Sequence, residues 1–249
     1  MTAYEYFLNN ADINMILDSI NEMHGGSRHE ACPVLDTGSP AKQSKIRTLD
    51  CFGNTTLAMT ASENLPPSCH GRGHAMFVVE KAEHVLQLFA CDSRTIELGK
   101  IAALLHDIGN IAGRKNHARK SAALAEIFLD GTDLLQPSEK DIIVKAIADH
   151  SDGAAISSAV GAALIIADKV DHVKRRIFPT ENLDPWHRNL LEIEDVDVRA
   201  DHETLTVNFI TTSAFSQKVY LDDYRLFGVL TGAAGYFNRG FTLFFNGRE

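Results

Sequence analysis

Apolar residues recur at helical spacing over most of the first 180 positions and at alternate positions after about 190. Ile13, Ile16, Leu17 and Ile20 predict a short amphipathic helix over 11–24. Ala75, Val78, Val79, Ala82, Leu86 and Leu88 predict another over 73–90. A third spans 94–108 and stops at Gly109, a C-cap signal. Asn116 stands where it can cap a helix reaching about 129, with Ala122, Leu124, Ala125 and Phe128 inward. Pro137-Ser138, with Asp141 three residues on, opens a helix through Ile142, Ile143 and Ile147 to His150. The last of the series, about 154–177, is apolar throughout Ala162–Ala167 and reads as a central buried helix, closed by Pro179 and Pro185.

Two stretches break this pattern. From about 25 to 72 the chain is rich in Gly, Ser, Thr, Pro and Asn, with Pro33, Pro40, Pro66 and Pro67. So long an irregular stretch forms a lid, wraps a site, or serves as a linker, and the pattern leaves these open. After 190, Val196 and Val198, then Leu205, Val207 and Phe209, alternate with polar residues, as in strands. A helical segment near 216–231 and a short strand over 241–245 follow. The expected fold is mainly α: a helical bundle carrying a small C-terminal α+β module of order β-β-α-β. The corresponding units are 1–72, an N-terminal helix and wrapping segment; 73–185, the helical domain; and 190–249, the small module.

Charge narrows the function. A formal net charge of −9 disfavours binding to nucleic-acid polymers, and any anionic substrate would need a local positive centre. No basic-then-apolar leader and no membrane-length apolar run are expected. Cys32, Cys51, Cys69 and Cys91 lie too far apart for a zinc ribbon and read as reduced thiols of a cytoplasmic protein.

The candidate chemistry lies in six residues. His74 begins a predicted helix, His106 and Asp107 end the next, His117 opens the third, His150 closes the fourth, and Asp168 lies inside the fifth. One or two ligands per helix is how metal sites are built in bundles. Imidazole and carboxylate without thiolate suit Fe(II), Mn(II) or Zn(II). Asp168 interrupts an apolar face, where an unpartnered carboxylate costs several kcal/mol and a metal removes that cost. A salt bridge to an arginine would remove it too. His70 competes with His74, but Pro66, Pro67, Gly71 and Gly73 make a helix before 73 improbable, so His70 is expected on the substrate side or merely exposed. His84 and His172 are expected as supporting or surface groups.

The strings Gly73-His74-x-x-x-Val78, Leu104-Leu-His-Asp-Ile-Gly109, Asn116-His117, Ile147-Ala-Asp-His-Ser151 and Ile166-Ala-Asp-Lys-Val170 carry a resemblance to the HD-domain metal-dependent phosphohydrolase superfamily. The resemblance covers roughly 70–178. It implies an all-α fold, and His117 and His150 resemble the binuclear branches. Those branches include HD-GYP phosphodiesterases, diadenosine tetraphosphate hydrolases and HD-type mixed-valent diiron oxygenases. It further implies that Asp107 bridges two divalent transition metals, iron or manganese. His74, His106 and Asp168 complete one site, and His117 and His150 the other. Two such ions against two carboxylates and one hydroxide leave about +1, suited to phosphate. A metal-bridging hydroxide would then hydrolyse a phosphate mono- or diester of a small phosphorylated substrate, a nucleotide above all, with Asp107 positioning it.

The chain departs from the family pattern twice. No Gly-Tyr-Pro string follows His150, which puts cyclic-dinucleotide cleavage in doubt, and Asn110 stands where many relatives have a phosphate-contacting lysine. Arg114 and Lys115 are then the expected source of positive charge, with Asn110 and Lys169 as further substrate contacts. A diiron oxygenase on the same ligands and a non-catalytic sensor remain open alternatives. Strand edges in the module could also pair with a second copy, giving a homodimer.

Overall fold

The computed structural model describes residues 1–24, 69–151, 156–177, 183–222 and 227–248, and the expected wrapping segment over 25–72 lies almost wholly outside them. The fold is mainly helical, with a small three-stranded sheet in the C-terminal part. Among the described residues no helix is long and apolar enough to cross a membrane.

The helices are α1 (Ala3–Leu8), α2 (Ala11–His24), α3 (Arg72–Leu88), α4 (Ser93–Leu105), α5 (His117–Asp130), α6 (Pro137–Asp149) and α7 (Ala159–Lys169). Then come α8 (Pro185–Leu190), β1 (Ile193–Ala200), β2 (Thr204–Thr211), α9 (Gln217–Asp222), α10 (Phe227–Tyr236) and β3 (Gly240–Phe245). Single 3-10 turns cover Ile108–Ala112 and Lys174–Arg176.

Local chemistry sets these boundaries. α1, which hydrophobic spacing alone does not reveal, is held by a capping box: the Thr2 hydroxyl accepts from Glu5 N, and the Glu5 carboxylate accepts from Thr2 N. Asp92 caps α4 by accepting from the backbone N–H groups of Arg94 and Thr95. The box on α6 lies two residues earlier than expected. Gln136 and Glu139 form it, with Pro137 in the first turn where its missing N–H costs nothing. Asn116 does precede α5, but it adopts a left-handed conformation with φ of 58° and its side chain caps nothing.

Two helices are shorter than their patterns predict. α4 ends at Leu105 rather than running to 108, and Gly109 is not its C-cap but part of the following 3-10 turn. A Cβ on Gly109 would lie 2.3 Å from the backbone N of Ser121 and 2.7 Å from the His117 carbonyl oxygen. Its glycine identity therefore answers to the close approach of α5. α7 stops at Lys169, short of 177, where the chain turns so that Asp171 can reach His74. A buried ionic contact here outweighs helix propensity.

The sheet has order β1-β2-β3, with β1 and β2 antiparallel and β2 and β3 parallel. α9 and α10 make the crossover between β2 and β3, so the module reads β-β-α-α-β rather than β-β-α-β. Period-two burial aims Val196, Val198, Leu205, Val207, Phe209, Leu243 and Phe245 inward. Two apolar clusters form the core, one among α1–α6 and one beneath the sheet. α7 lies between them, giving Leu164 and Ala167 to the first and Ala163, Ile165 and Ile166 to the second. Every residue from Val160 to Asp168 is buried.

Candidate metal centre

The element ends around α7 bring together all six predicted ligands. His74 sits in the first turn of α3, and Arg72 beside it pins that turn to α2 through Asp18 and Asn14. His106 and Asp107 occupy the break between α4 and the 3-10 turn, which swings the carboxylate off the helical path. His117 opens α5, His150 is the C-cap of α6, and Asp168 is in the last turn of α7. All but His117 are buried, and His117 is half-buried.

The imidazoles share one orientation. Nδ1–H of His106 donates to the Ala103 carbonyl at 2.7 Å, that of His150 to Ile147 at 2.6 Å, and that of His117 to Arg114 at 3.2 Å. Nδ1–H of His74 donates to the buried carboxylate of Asp171 at 2.7 Å. With Nδ1 holding the proton, each Nε2 presents a lone pair. These lone pairs face one another and the carboxylates. His74 Nε2 is 3.1 Å from His106 Nε2, 3.2 Å from Asp168 Oδ1 and 3.5 Å from Asp107 Oδ2. His106 Nε2 is 3.6 Å from Asp107 Oδ2 and 3.8 Å from Asp168 Oδ1. Donors about 2.1 Å from one ion in near-tetrahedral array lie about 3.4 Å apart, so these four atoms have the spacing of ligands to a single ion.

A second set stands on the other side of Asp107. His117 Nε2 is 3.2 Å from His150 Nε2 and 3.5 Å from Asp107 Oδ1, and His150 Nε2 is 3.8 Å from that oxygen. Asp107 Oδ1 is buried without a hydrogen-bond partner. Such an atom costs about 1–3 kcal/mol, more when charged, unless something positive meets it. Overlapping groups of buried donors thus form a site able to hold metal.

Electrostatics agree with a site shaped for positive charge. Burial works against the Asp107 carboxylate, yet the facing His106 and the bond from His70 hold it well below the usual carboxylate range. Asp168 is likewise held down against burial, chiefly by Lys169, whose Nζ donates to Oδ2 at 2.6 Å and leaves Oδ1 toward His74. Burial pushes His150 down to about 3, and it also lowers His106, so both rings are neutral near pH 7. Burial and the charge of Arg176 oppose a proton on His74, but its bonds to Asp168 and Asp171 prevail and raise it. Between those carboxylates a positive charge is favoured, whether a proton or a metal supplies it.

A cavity of about 210 Å³ opens on this centre. Asp107, His117 and Asp168 line it, together with His70, the cations Arg114, Lys169 and Arg176, and the apolar Ile177, Trp186 and Leu190. Arg114 and Lys169 thus lie at the cavity. Lys115 is exposed and does not line it, and neither does Asn110, which is buried with both amide atoms unpartnered.

His70 is not exposed. Although off the helix, it is buried, donates from Nδ1 to Asp107 Oδ2 at 2.8 Å, and accepts from Arg114 at Nε2. The exposed alternative missed this because a tertiary bond, Cys69 N to the Arg176 carbonyl at 2.7 Å, draws the segment inward, where His70 lines the cavity. The supporting role of Asp171 was also not anticipated. The available signal was that it follows Asp168 by three residues, about one helical turn.

No protein-family model matches the chain, and no curated protein does. Among solved structures, a predicted HD superfamily hydrolase from an uncultured Thermotogales bacterium is 29% identical over a match covering 42% of this chain and 57% of that one, with a TM-score of 0.37. The match therefore spans little more than half the length of that neighbour, and a superposition this loose carries no argument about fold or activity.

Proposed function

We propose that the chain is an HD-superfamily metal-dependent phosphohydrolase that cleaves a phosphate mono- or diester, with a nucleotide as substrate class, at a centre of two divalent transition metals, iron or manganese. One observation carries the reading. Four imidazoles commit Nδ1–H to acceptors and turn Nε2 toward Asp107, whose Oδ1 is buried without a partner. Lone pairs and carboxylates converge there with too few protons between them, an arrangement that a metal resolves.

His74, His106, Asp107 and Asp168 would hold one ion, and Asp107, His117 and His150 the other. Bound divalent metals would supply Lewis acidity and lower the pKa of water from 15.7 to about 7. The protein's own groups do the rest. Asp171 fixes the tautomer and direction of His74, and Lys169 neutralises the Asp168 oxygen turned from the centre. Arg114, Lys169 and Arg176 set positive charge along the cavity of an acidic protein, which favours an anionic substrate. This favours phosphate-ester chemistry over the oxygenase alternative. Ile177, Trp186 and Leu190 give the cavity apolar surface for the organic part of the ester.

The test is phosphate release from a broad panel of mono- and diesters and dinucleotides, by protein loaded with Mn(II) or Fe(II). Release from at least one class is expected, abolished by Asp107→Ala while circular dichroism stays unchanged. No release across the panel would sink the proposal. Iron-dependent oxygen uptake without phosphate release would replace it with an oxygenase.

A further inference from the structure

His172 lines the same cavity yet plays no part in the metal centre. Its ring is buried and fixed on three sides: edge-on to Trp186 with centroids 5.3 Å apart, stacked near Phe209 at 6.4 Å, and hydrogen-bonded through Nδ1 to the Tyr220 hydroxyl at 2.8 Å. Tyr220 is fully buried and belongs to α9, so this bond, with Phe209 of β2 beside the ring, ties the C-terminal module to the edge of the cavity. Among the described residues no partner is found for Nε2, the remaining polar atom of the ring. The cavity also carries the cations Arg114, Lys169 and Arg176, and with the carboxylates Asp107 and Asp168 committed to metal these cations favour an anion there.

A tyrosine hydroxyl can donate or accept, so the bond permits two tautomers. If Nδ1–H donated to Tyr220, a bare Nε2 lone pair would face the anion. If the hydroxyl donates to Nδ1, Nε2–H becomes a donor on a ring that lines the cavity. We propose that His172 is a substrate-binding residue of this cavity. Tyr220 donates to Nδ1 and thereby presents Nε2–H to an anionic oxygen of the substrate held beside the metals. This rests on the phosphate-ester reading above and adds to it a specific donor, together with a function for the C-terminal module.

The probe is inorganic phosphate, titrated calorimetrically into the metal-loaded full-length protein. His172→Phe keeps the ring packing and removes the donor, and it should weaken phosphate binding about tenfold, the loss typical of a hydrogen bond to a charged group. His172→Gln can restore an N–H near the same place and should recover most of the affinity. Metal content should be unchanged in both, because neither nitrogen is a ligand. The double variant His172→Phe/Tyr220→Phe, which removes the hydroxyl that bonded Nδ1 as well, provides a fold-preserving check and should show the same loss. In zinc-loaded wild type, nitrogen NMR should find the His172 proton on Nε2. A proton on Nδ1, or phosphate affinity within twofold of wild type in the double variant, would overturn the proposal. If the loaded wild type binds no phosphate, the phosphate-ester reading itself falls and this one with it. If wild type binds and the variants match it, only the role of His172 is lost.

Discussion

His74 owes its direction to Asp171. That carboxylate is fully buried, accepts from Nδ1, and is itself held by Arg175 at 2.8 Å, so the ring cannot swing without breaking an ionic pair. Asp171→Asn keeps the shape and removes the charge. It should weaken metal retention about tenfold or more, as read by competition with a chelator. The two neighbouring cations are predicted to separate sharply. Arg114→Ala should raise KM about tenfold with kcat little changed, whereas Lys115→Ala, exposed and off the cavity, should stay within about twofold. At this scale the ligand residues could be read from the chain because residue type and helical interval carry their chemistry. Their supports could not. His70 reaches Asp107 only through a bond between distant segments, and nothing in the local sequence distinguishes Arg114 from Lys115.

Helix ends decide where the ligands meet, and these were the least legible features. The run into Gly109 reads as one helix with a C-cap, but α4 breaks at Leu105 and the glycine serves α5, packed 2.3 Å from where its Cβ would be. Gly109→Ala would have to push backbone against backbone. It should destabilise the protein by about 2 kcal/mol or more and disturb the placement of His117, seen as a lowered thermal midpoint together with reduced metal content. By contrast, Thr2-x-x-Glu5 spells out the capping box of α1 in the sequence, and hydrophobic periodicity overlooks it because the helix is so short. A second device joins α4 to α6. Arg94 pairs with Glu139 and Glu97 at 2.7 Å each, and its bonds to Glu139 hold that carboxyl below its ordinary value of 4.5. A depressed carboxyl stabilises the fold above the unfolded value, and the contribution is lost as pH falls below it. Arg94→Ala should therefore cost about 1 kcal/mol at pH 7, and the difference from wild type should shrink toward pH 3, as measured by urea midpoints.

At the scale of the whole molecule, α7 makes two cores interdependent. Its Ala163, Ile165 and Ile166 pack beneath the sheet while Leu164 and Ala167 face the other helices, and Asp168 at its end joins the centre. The overall class could be read from the sequence because the change from 3.6-residue to two-residue periodicity is strong. That the sheet shares a core with α7 could not be read, since an all-apolar helix does not indicate which partners cover it. Truncation after residue 190 should expose this face and yield an aggregated or molten product, visible as loss of a cooperative thermal transition. The central claim is that Asp107 joins two metal sites, and the stoichiometry of divalent metal bound per chain tests it most directly. The account predicts two equivalents of iron or manganese in the loaded wild type, falling to one when His117 and His150 are both changed to Ala. A single equivalent in the wild type, unaltered by those changes, would contradict it.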